Sequence, residues 1–181
     1  MRSFAYPATL TPDREVGGFT VTFPDLPEAI TQGEGRLDAL EQASDCLEEA
    51  IAGRIRRGNE IPTASKKKAS QTVVFVPPLM AAKAALYLAM REAKISNVKL
   101  AKQLGCDEKD VRRLLDPRHS SRITTLQAAL AALGKRIVSA GGEHRVGEHS
   151  GGTGPADTPP AQRVTSRSSD GQGEVRPRRR E

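Results

Sequence analysis

The stretch NVKLAKQLGCDEKDVRRLL, residues 97–115, carries the clearest structural pattern in the second half of the chain. Its apolar residues recur three or four apart on both sides of Gly105, a pattern typical of two short helices that pack through one seam. Gly105 permits the left-handed backbone of a sharp turn, and the side chain of Asp107 is expected to cap the second helix. The seam would consist of Leu100, Leu104, Val111 and Leu114. The stretch therefore predicts a helix-turn-helix.

Charged side chains lie off this seam on the second helix. They are Glu108, Lys109, Arg112 and Arg113. Arg113 could pair bidentately with a guanine, and Lys109 could reach a base acceptor or a phosphate. The polar loop that follows carries three residues placed to grip phosphates, Arg118, His119 and Arg122. For His119, a solvated or phosphate-binding role is favoured over a catalytic one. A purely structural pair of helices is the alternative interpretation, because helical hairpins with glycine at the turn are common.

Helical patterns continue on both sides of this motif. An alanine-rich helix is expected over residues 79–91, after a Pro-Pro boundary at 77–78. A closing helix ends at Gly134, and a short strand is possible over residues 135–139. The closing helix would be buried through Leu126, Leu130 and Leu133. We therefore delimit an all-α DNA-binding domain at residues 79–140.

In the first half of the chain, apolar residues alternate with other residues at a period of two. Residues 4–10 and 19–23 predict the two strands of a hairpin, in which Pro7 is expected at an edge or a bulge. Residues 29–32 predict a third strand, and residues 72–76 a buried strand that returns to the same sheet.

One long helix interrupts these strands. It is predicted over residues 36–57 and ends at Gly58, before a polar linker at 62–71. Its apolar face would carry Leu37, Leu40, Leu47, Ile51 and Ile55. The predicted fold class is α+β, with a βββαβ domain at residues 1–78 followed by the all-α helix-turn-helix domain. The Gly-, Pro- and Ser-rich residues 141–181 are predicted to be a disordered tail.

The charge is distributed unevenly along the 181 residues. Residues 1–62 carry six Lys and Arg against eleven Asp and Glu, whereas residues 63–140 carry fifteen against five. A basic block suits a polyanion such as nucleic acid, and an acidic block suits a basic partner. Ordinary solvated surfaces are the alternative explanation for both blocks.

Composition excludes several classes of protein. Cys46 and Cys106 belong to no CxxC or Cys/His cluster, so we expect reduced packing residues and no zinc or other metal. Aromatic residues make up only 3% of the chain and Trp is absent, which disfavours a cofactor pocket. We find no signal-peptide pattern and no apolar run of about 20 residues, and therefore expect a cytoplasmic protein without a membrane partner.

Motifs in both halves resemble the HicB family of antitoxins. In the second half they are LAxxLG at 100–105, RLLDPRH at 113–119 and ALAALG at 129–134. In the first half they are YPA at 6–8, GFxVxFPDLP at 18–27 and AITQG at 29–33. Together these motifs cover about residues 4–139.

The resemblance implies a fold and two partners. The N-terminal domain would have a truncated ribonuclease-H-like fold and would bind and silence a HicA-like toxin, a small ribonuclease. The second domain would bind operator double-stranded DNA and repress the operon. In related helix-turn-helix proteins the residue that opens the first helix holds a phosphate, and that position is Asn97 here. The resemblance does not indicate which residues contact the toxin.

Two other functions compete with this interpretation. An active nuclease would need carboxylates that converge on metal ions, but Asp13 and Asp25 lie in turns, and the acidic residues of the helix follow its exposed side. We therefore expect no catalytic residues and no cofactor. A stand-alone transcriptional regulator whose N-terminal domain senses a small ligand is the second alternative. We also expect a homo-oligomer, a dimer or a dimer of dimers, because paired half-sites on DNA require two copies.

Overall fold

The structure is a computed structural model that describes residues 2–140 and 143–148, with side chains described up to residue 138. Its elements run in the order β1 (Arg2–Ser3), β2 (Ala5–Pro12), β3 (Phe19–Thr22), β4 (Ile30–Gly33), α1 (Arg36–Arg57), β5 (Thr72–Phe75), α2 (Pro78–Glu92), α3 (Asn97–Leu104), α4 (Glu108–Leu115), α5 (Ile123–Ala132), β6 (Lys135–Ala140) and β7 (Glu143–Glu148). The predicted α+β class is confirmed.

An antiparallel four-stranded sheet, in the order β4-β3-β2-β5, forms the first half. This arrangement confirms the predicted hairpin, the third strand and the returning strand. The prediction that Pro7 lies at an edge or a bulge needs refinement, because β2 is an inner strand. Residues 5–8 of β2 pair only with β5, whereas residues 9–12 pair with β3. Pro7 thus lies where the strand has one described partner, a position that tolerates its missing amide hydrogen.

Helix α1 packs along the sheet, and its buried face differs from the predicted one at its start. Leu37, expected on the apolar face, is 80% exposed, whereas Ala39 and Ala43 are fully buried. The reason is a close approach of α1 to β4, since a Cβ on Gly33 would lie 2.4 Å from the backbone nitrogen of Ala39. Only small residues fit at this crossing, so the buried face runs through Ala39, Ala43, Leu47 and Ile51.

The second half consists of the four helices α2 to α5, which confirms the predicted helical pattern. Gly105 adopts the expected left-handed backbone, with φ of 64°. The predicted seam is also found, since Leu100 and Val111 are fully buried, Leu114 is nearly so and Leu104 is half-buried.

A second small sheet joins the start of the chain to its later part. Strand β7 pairs with both β1 and β6 in an antiparallel three-stranded sheet. Residues 143–148, which belong to the predicted tail, form this strand in the structure. Strand β7 pairs along its length with β6 and, at Arg145 and Val146, also with β1. Backbone pairing of this kind does not require the apolar side chains that the sequence lacks here. Residues 141–142 and 149–181 of the predicted tail lie outside the described residues.

One hydrophobic core extends through both halves of residues 2–138. Tyr6 of β2, Leu47 of α1, Met80 of α2 and Leu126 of α5 belong to the same buried cluster. The domain boundary at residue 78 stays a prediction. In the described part of the chain, no helix combines the length and the apolar character that crossing a membrane requires.

Candidate nucleic-acid interface

Helix α3 starts at a well-formed cap. The side chain of Ser96 accepts a hydrogen bond from the backbone amide of Lys99 at 3.3 Å, and Asn97 is the first helical residue. Asn97 is half-buried and lines an open cavity of about 350 Å³ together with Lys94 and Arg91. The residue predicted to hold a phosphate therefore lies at the positive end of a helix, beside two cationic side chains.

Backbone hydrogen bonds order the turn between α3 and α4. The amide of Cys106 donates to the carbonyl of Ala101 at 3.1 Å, which closes the end of α3. Asp107 occupies the cap position of α4, as predicted, but its side chain accepts no capping hydrogen bond. The amide of Asp110, one of those that an N-cap side chain usually binds, instead donates to the main-chain oxygen of Asp107 at 3.0 Å.

Four charged residues of α4 were predicted to bind DNA, and one of them, Glu108, is half-buried. Lys109, Arg112 and Arg113 are exposed. Arg112 donates to Glu108 at 2.8 Å, and Arg113 lies 3.5 Å from Asp110. Ion pairs this exposed contribute only about 0.2 to 1 kcal/mol, so both guanidinium groups can exchange a carboxylate for a DNA acceptor at little cost.

The loop between α4 and α5 holds the remaining predicted residues. Arg118, His119 and Arg122 are all exposed. The backbone is ordered by local bonds, since the amide of Arg118 donates to Oδ1 of Asp116 at 3.0 Å. The amide of His119 donates to the main-chain oxygen of Asp116 at 3.2 Å. The predicted residues thus occupy three consecutive parts of the chain: the start of α3, the outer face of α4 and the loop before α5.

One residue of this region was missed by sequence reasoning. Lys83 of α2 is fully buried, and its ammonium group contacts the loop between α4 and α5. The signal was present in the sequence, because this lysine stands alone among small and apolar residues in MAAKAAL, residues 80–86.

Three carboxylates of the first half make contacts that order the nearby chain. Asp13 accepts the amides of Glu15 and Val16, which lowers the pKa of its carboxyl group. Glu28 pairs with Arg54 at 2.5 Å, and Asp25 accepts the amide of Ser65 at 2.9 Å. Among the residues that the structure describes, no group of three His, Cys, Asp or Glu side chains is placed to hold a metal ion.

The two cysteines are free and half-buried, as the sequence predicted. Burial raises the pKa of the Cys46 thiol, which keeps it protonated and unreactive at neutral pH. Neither cysteine adds chemistry to the interface.

Comparison with known proteins identifies the family. The family model described as "HicB_like antitoxin of bacterial toxin-antitoxin system" matches residues 5–85. "Antitoxin HicB 1" of Photorhabdus laumondii is 36% identical over 137 residues, which cover 76% of this chain and 86% of that protein. "Antitoxin HicB" of Escherichia coli K12 is 36% identical over 132 residues, which cover 73% and 95%. "Antitoxin HicB" of Pseudomonas fluorescens is 33% identical over 125 residues, which cover 68% and 86%.

These relatives carry the name of an antitoxin, which agrees with the expectation that the chain is not an enzyme. The matches reach well beyond the first sheet and include residues of the helical half, because 137 aligned residues cannot be accommodated in residues 1–78. The chain therefore belongs to the HicB-like family of antitoxins of bacterial toxin–antitoxin systems.

Proposed function

We propose that this HicB-like antitoxin neutralises a HicA-like ribonuclease toxin by direct binding and represses its own operon by sequence-specific DNA binding. Family membership carries the proposal, since the relatives are named as antitoxins. The cationic outer face of α4 supports the DNA-binding part. The ligand-sensing regulator has no comparable observation in its favour.

DNA binding is assigned to α3, α4 and the loop that follows. A short helix that exposes Lys109, Arg112 and Arg113 fits the major groove of B-DNA, where arginine recognises guanine. Arg118, His119 and Arg122 follow directly and would contact phosphates, which supply affinity and orientation without sequence information. Asn97 would add a phosphate contact at the start of α3.

Toxin binding is assigned to the acidic first half. A ribonuclease toxin that binds RNA needs a basic surface, and residues 1–62 carry nearly twice as many acidic as basic side chains. Steering between opposite charges speeds association and favours the correct partner.

The active form is proposed to be a homodimer or a dimer of dimers in the cytoplasm. One short recognition helix contacts only a few base pairs, whereas two copies recognise two half-sites about 34–36 Å apart, one turn of DNA. Light scattering at micromolar concentration should show at least a dimer. A monomer that binds a single half-site would contradict this part of the proposal.

The experiment uses the full chain and the product of the neighbouring reading frame. We expect the purified chain to block RNA cleavage by that protein at about one-to-one stoichiometry. It should also bind the DNA upstream of its own gene more tightly than random DNA by about 10³-fold or more.

The two activities are measured separately so that each part of the proposal can fail alone. An inhibitor of cleavage that binds both DNAs equally would remove the repressor role. A sequence-specific DNA binder that leaves the neighbouring protein active would remove the antitoxin mechanism and favour the ligand-sensing regulator.

A further inference from the structure

Lys83 of α2 is a lysine without access to solvent, with a relative exposure of 0%. Its helix neighbours Ala82 and Ala84 are also buried, so the side chain leaves α2 through a packed interior. Removing an ammonium group from water is costly unless its hydrogen bonds are replaced. Burial lowers the pKa of Lys83, in keeping with this cost. The buried ammonium group of Lys83 therefore needs hydrogen-bond acceptors within the protein.

Those contacts all come from one short segment. Nζ of Lys83 donates to the main-chain oxygen of Asp116, to the main-chain oxygen of His119 at 2.6 Å and to Oγ of Ser121 at 3.3 Å. An ammonium group has three hydrogen-bond donors, and three acceptors are present. One side chain of α2 therefore ties down residues 116–121 at three points.

The electrostatic setting favours a cation at this place. Asp116 is the C-terminal cap of α4, where the helix dipole presents its negative end. The carboxylate of Asp116 adds a further attraction to the ammonium group. Lys83 thus fixes the end of α4 and the loop after it as one unit.

We propose that Lys83 is a positioning residue for DNA binding, which holds the loop 116–122 so that its exposed cations meet phosphates while α4 lies in the major groove. The inference rests on the DNA binding proposed above and extends it to a buried residue that touches no DNA. Arg118, His119 and Arg122 lie on this loop. A loop ordered before binding loses less conformational entropy when the complex forms.

The test compares the full-length protein with its Lys83→Met variant on the DNA upstream of its own gene, over a range of salt concentrations. Methionine keeps most of the length of the side chain but removes the charge and all three donors. We expect the slope of log affinity against log salt to become flatter by about one to three units, because up to three phosphate contacts lose their order. Affinity at low salt should fall about tenfold or more. Inhibition of the toxin should not change.

The matched control is Leu86→Ala, a variant of a fully buried residue of the same helix that has no bond to the loop. It should lower thermal stability but leave the salt slope unchanged. Amide hydrogen exchange separates the two variants further. Residues 116–122 should exchange faster in Lys83→Met relative to the rest of the chain, and not in Leu86→Ala.

Two results would overturn the inference. The first is a Lys83→Met protein that keeps the wild-type salt slope and the wild-type exchange protection of the loop. The second is that Lys83→Met and Leu86→Ala change both quantities to the same extent. If Lys83→Met does not fold, Lys83→Gln is measured in its place. Failure of both to fold would assign Lys83 to general stability and reject the positioning role. A wild-type protein without salt-dependent DNA binding would refute the proposed function instead, and hydrogen exchange would still show whether Lys83 orders the loop.

Discussion

Arg113 and Arg122 differ in their proposed roles, and the difference can be measured. Arg113 lies on the outer face of α4 with only a weak contact to Asp110, whereas Arg122 precedes α5 in the loop. Arg113→Ala should weaken binding to operator DNA by about 1 to 3 kcal/mol and reduce the ratio between the affinities for operator DNA and random DNA. Arg122→Ala should weaken binding to both DNAs alike and flatten the salt dependence by about one unit. Equal small losses on both DNAs for both variants would contradict the assignment of α4 as the recognition helix.

Tyr6 is expected to make the free energy of unfolding depend on pH in the alkaline range. Burial is the main cause that raises its pKa to about 12, and its hydroxyl donates to the carbonyl of Pro62 at 2.9 Å. The folded state therefore disfavours the phenolate. The stabilisation of the fold by the protonated Tyr6 hydroxyl is fully present below the usual pKa of about 10 and is lost as the pH rises toward 12. Two pKa units correspond to about 2 to 3 kcal/mol.

The measurement is the free energy of unfolding in urea at pH 9 and at pH 11.5, for the wild type and Tyr6→Phe. The phenylalanine variant should lose less stability over this interval. Lys83 acts in the opposite direction, because its lowered pKa makes deprotonation favour the folded state. Since both proteins contain Lys83, the difference between them isolates Tyr6. Parallel losses in the two proteins would show that Tyr6 does not titrate as described.

The conformation of a single residue could be predicted where its neighbours in the sequence determine it. The left-handed backbone of Gly105 follows from the need for a sharp turn between two helical patterns. The burial of Leu37 and Lys83 could not be predicted in this way, because periodicity gives the spacing of a helix face but not how closely another element approaches it. Leu37 lies outside a crossing that only small residues can form, and Lys83 is buried because a distant loop supplies its acceptors.

The crossing of α1 over β4 depends on the absence of a side chain at Gly33. An added Cβ would lie 2.4 Å from the nitrogen and 2.6 Å from Cα of Ala39, both backbone atoms that cannot move without shifting the helix. Gly33→Ala should therefore lower the free energy of unfolding by about 1 to 3 kcal/mol. Gly35→Ser is the matched control, because Gly35 has open space around it and an extended backbone at the cap of α1. Serine is favoured at such caps, so this variant should be as stable as the wild type or slightly more stable. Similar losses for both in urea denaturation would mean that the crossing is not close.

The sequence predicted most helices and the strands of the first sheet to within a few residues, but it did not predict β1 as a separate strand or β7 at all. The helix at 36–57 and the strands at the start of the chain carry clear periods and end at glycine or proline. Strand β7 carries almost no apolar period, and only its pairing with β1 and β6 defines it. The pairing with β1 joins residues more than a hundred positions apart, and pairing over that distance leaves no local pattern in either segment.

The two proposed activities share one hydrophobic core, which extends through both halves of residues 2–138. Tyr87 and Arg91 of α2 donate to the carbonyls of Asn59 and Gly58, which follow α1 directly. The first sheet and its helix are thereby bonded to the helical half as well as packed against it. Variants that test one activity should therefore be made in the full chain and checked for the other.

The acidic first half offers a specific place to test toxin binding. Asp13, Glu34 and Asp38 line an open cavity of about 350 Å³ beside Val16, which is 88% exposed. Glu34 is exposed, whereas Asp13 and Asp38 are half-buried. Carboxylates next to an exposed apolar side chain suit the rim of an interface with a basic protein. If the toxin docks here, Glu34→Lys should slow its association about tenfold at low salt. Affinity for operator DNA should not change.

Glu60→Lys is the control, because it makes the same change in net charge beyond the opposite end of α1. At 1.5 Å per residue the 22 residues of this helix separate the two positions by about 33 Å, which is about three Debye lengths at 0.1 M salt and about one at 0.01 M. Stopped-flow association with the toxin at two salt concentrations distinguishes the outcomes. A loss in Glu34→Lys alone supports docking at the cavity. Equal losses in both variants would mean that overall charge steers the toxin, and no loss in either would place the toxin on another surface.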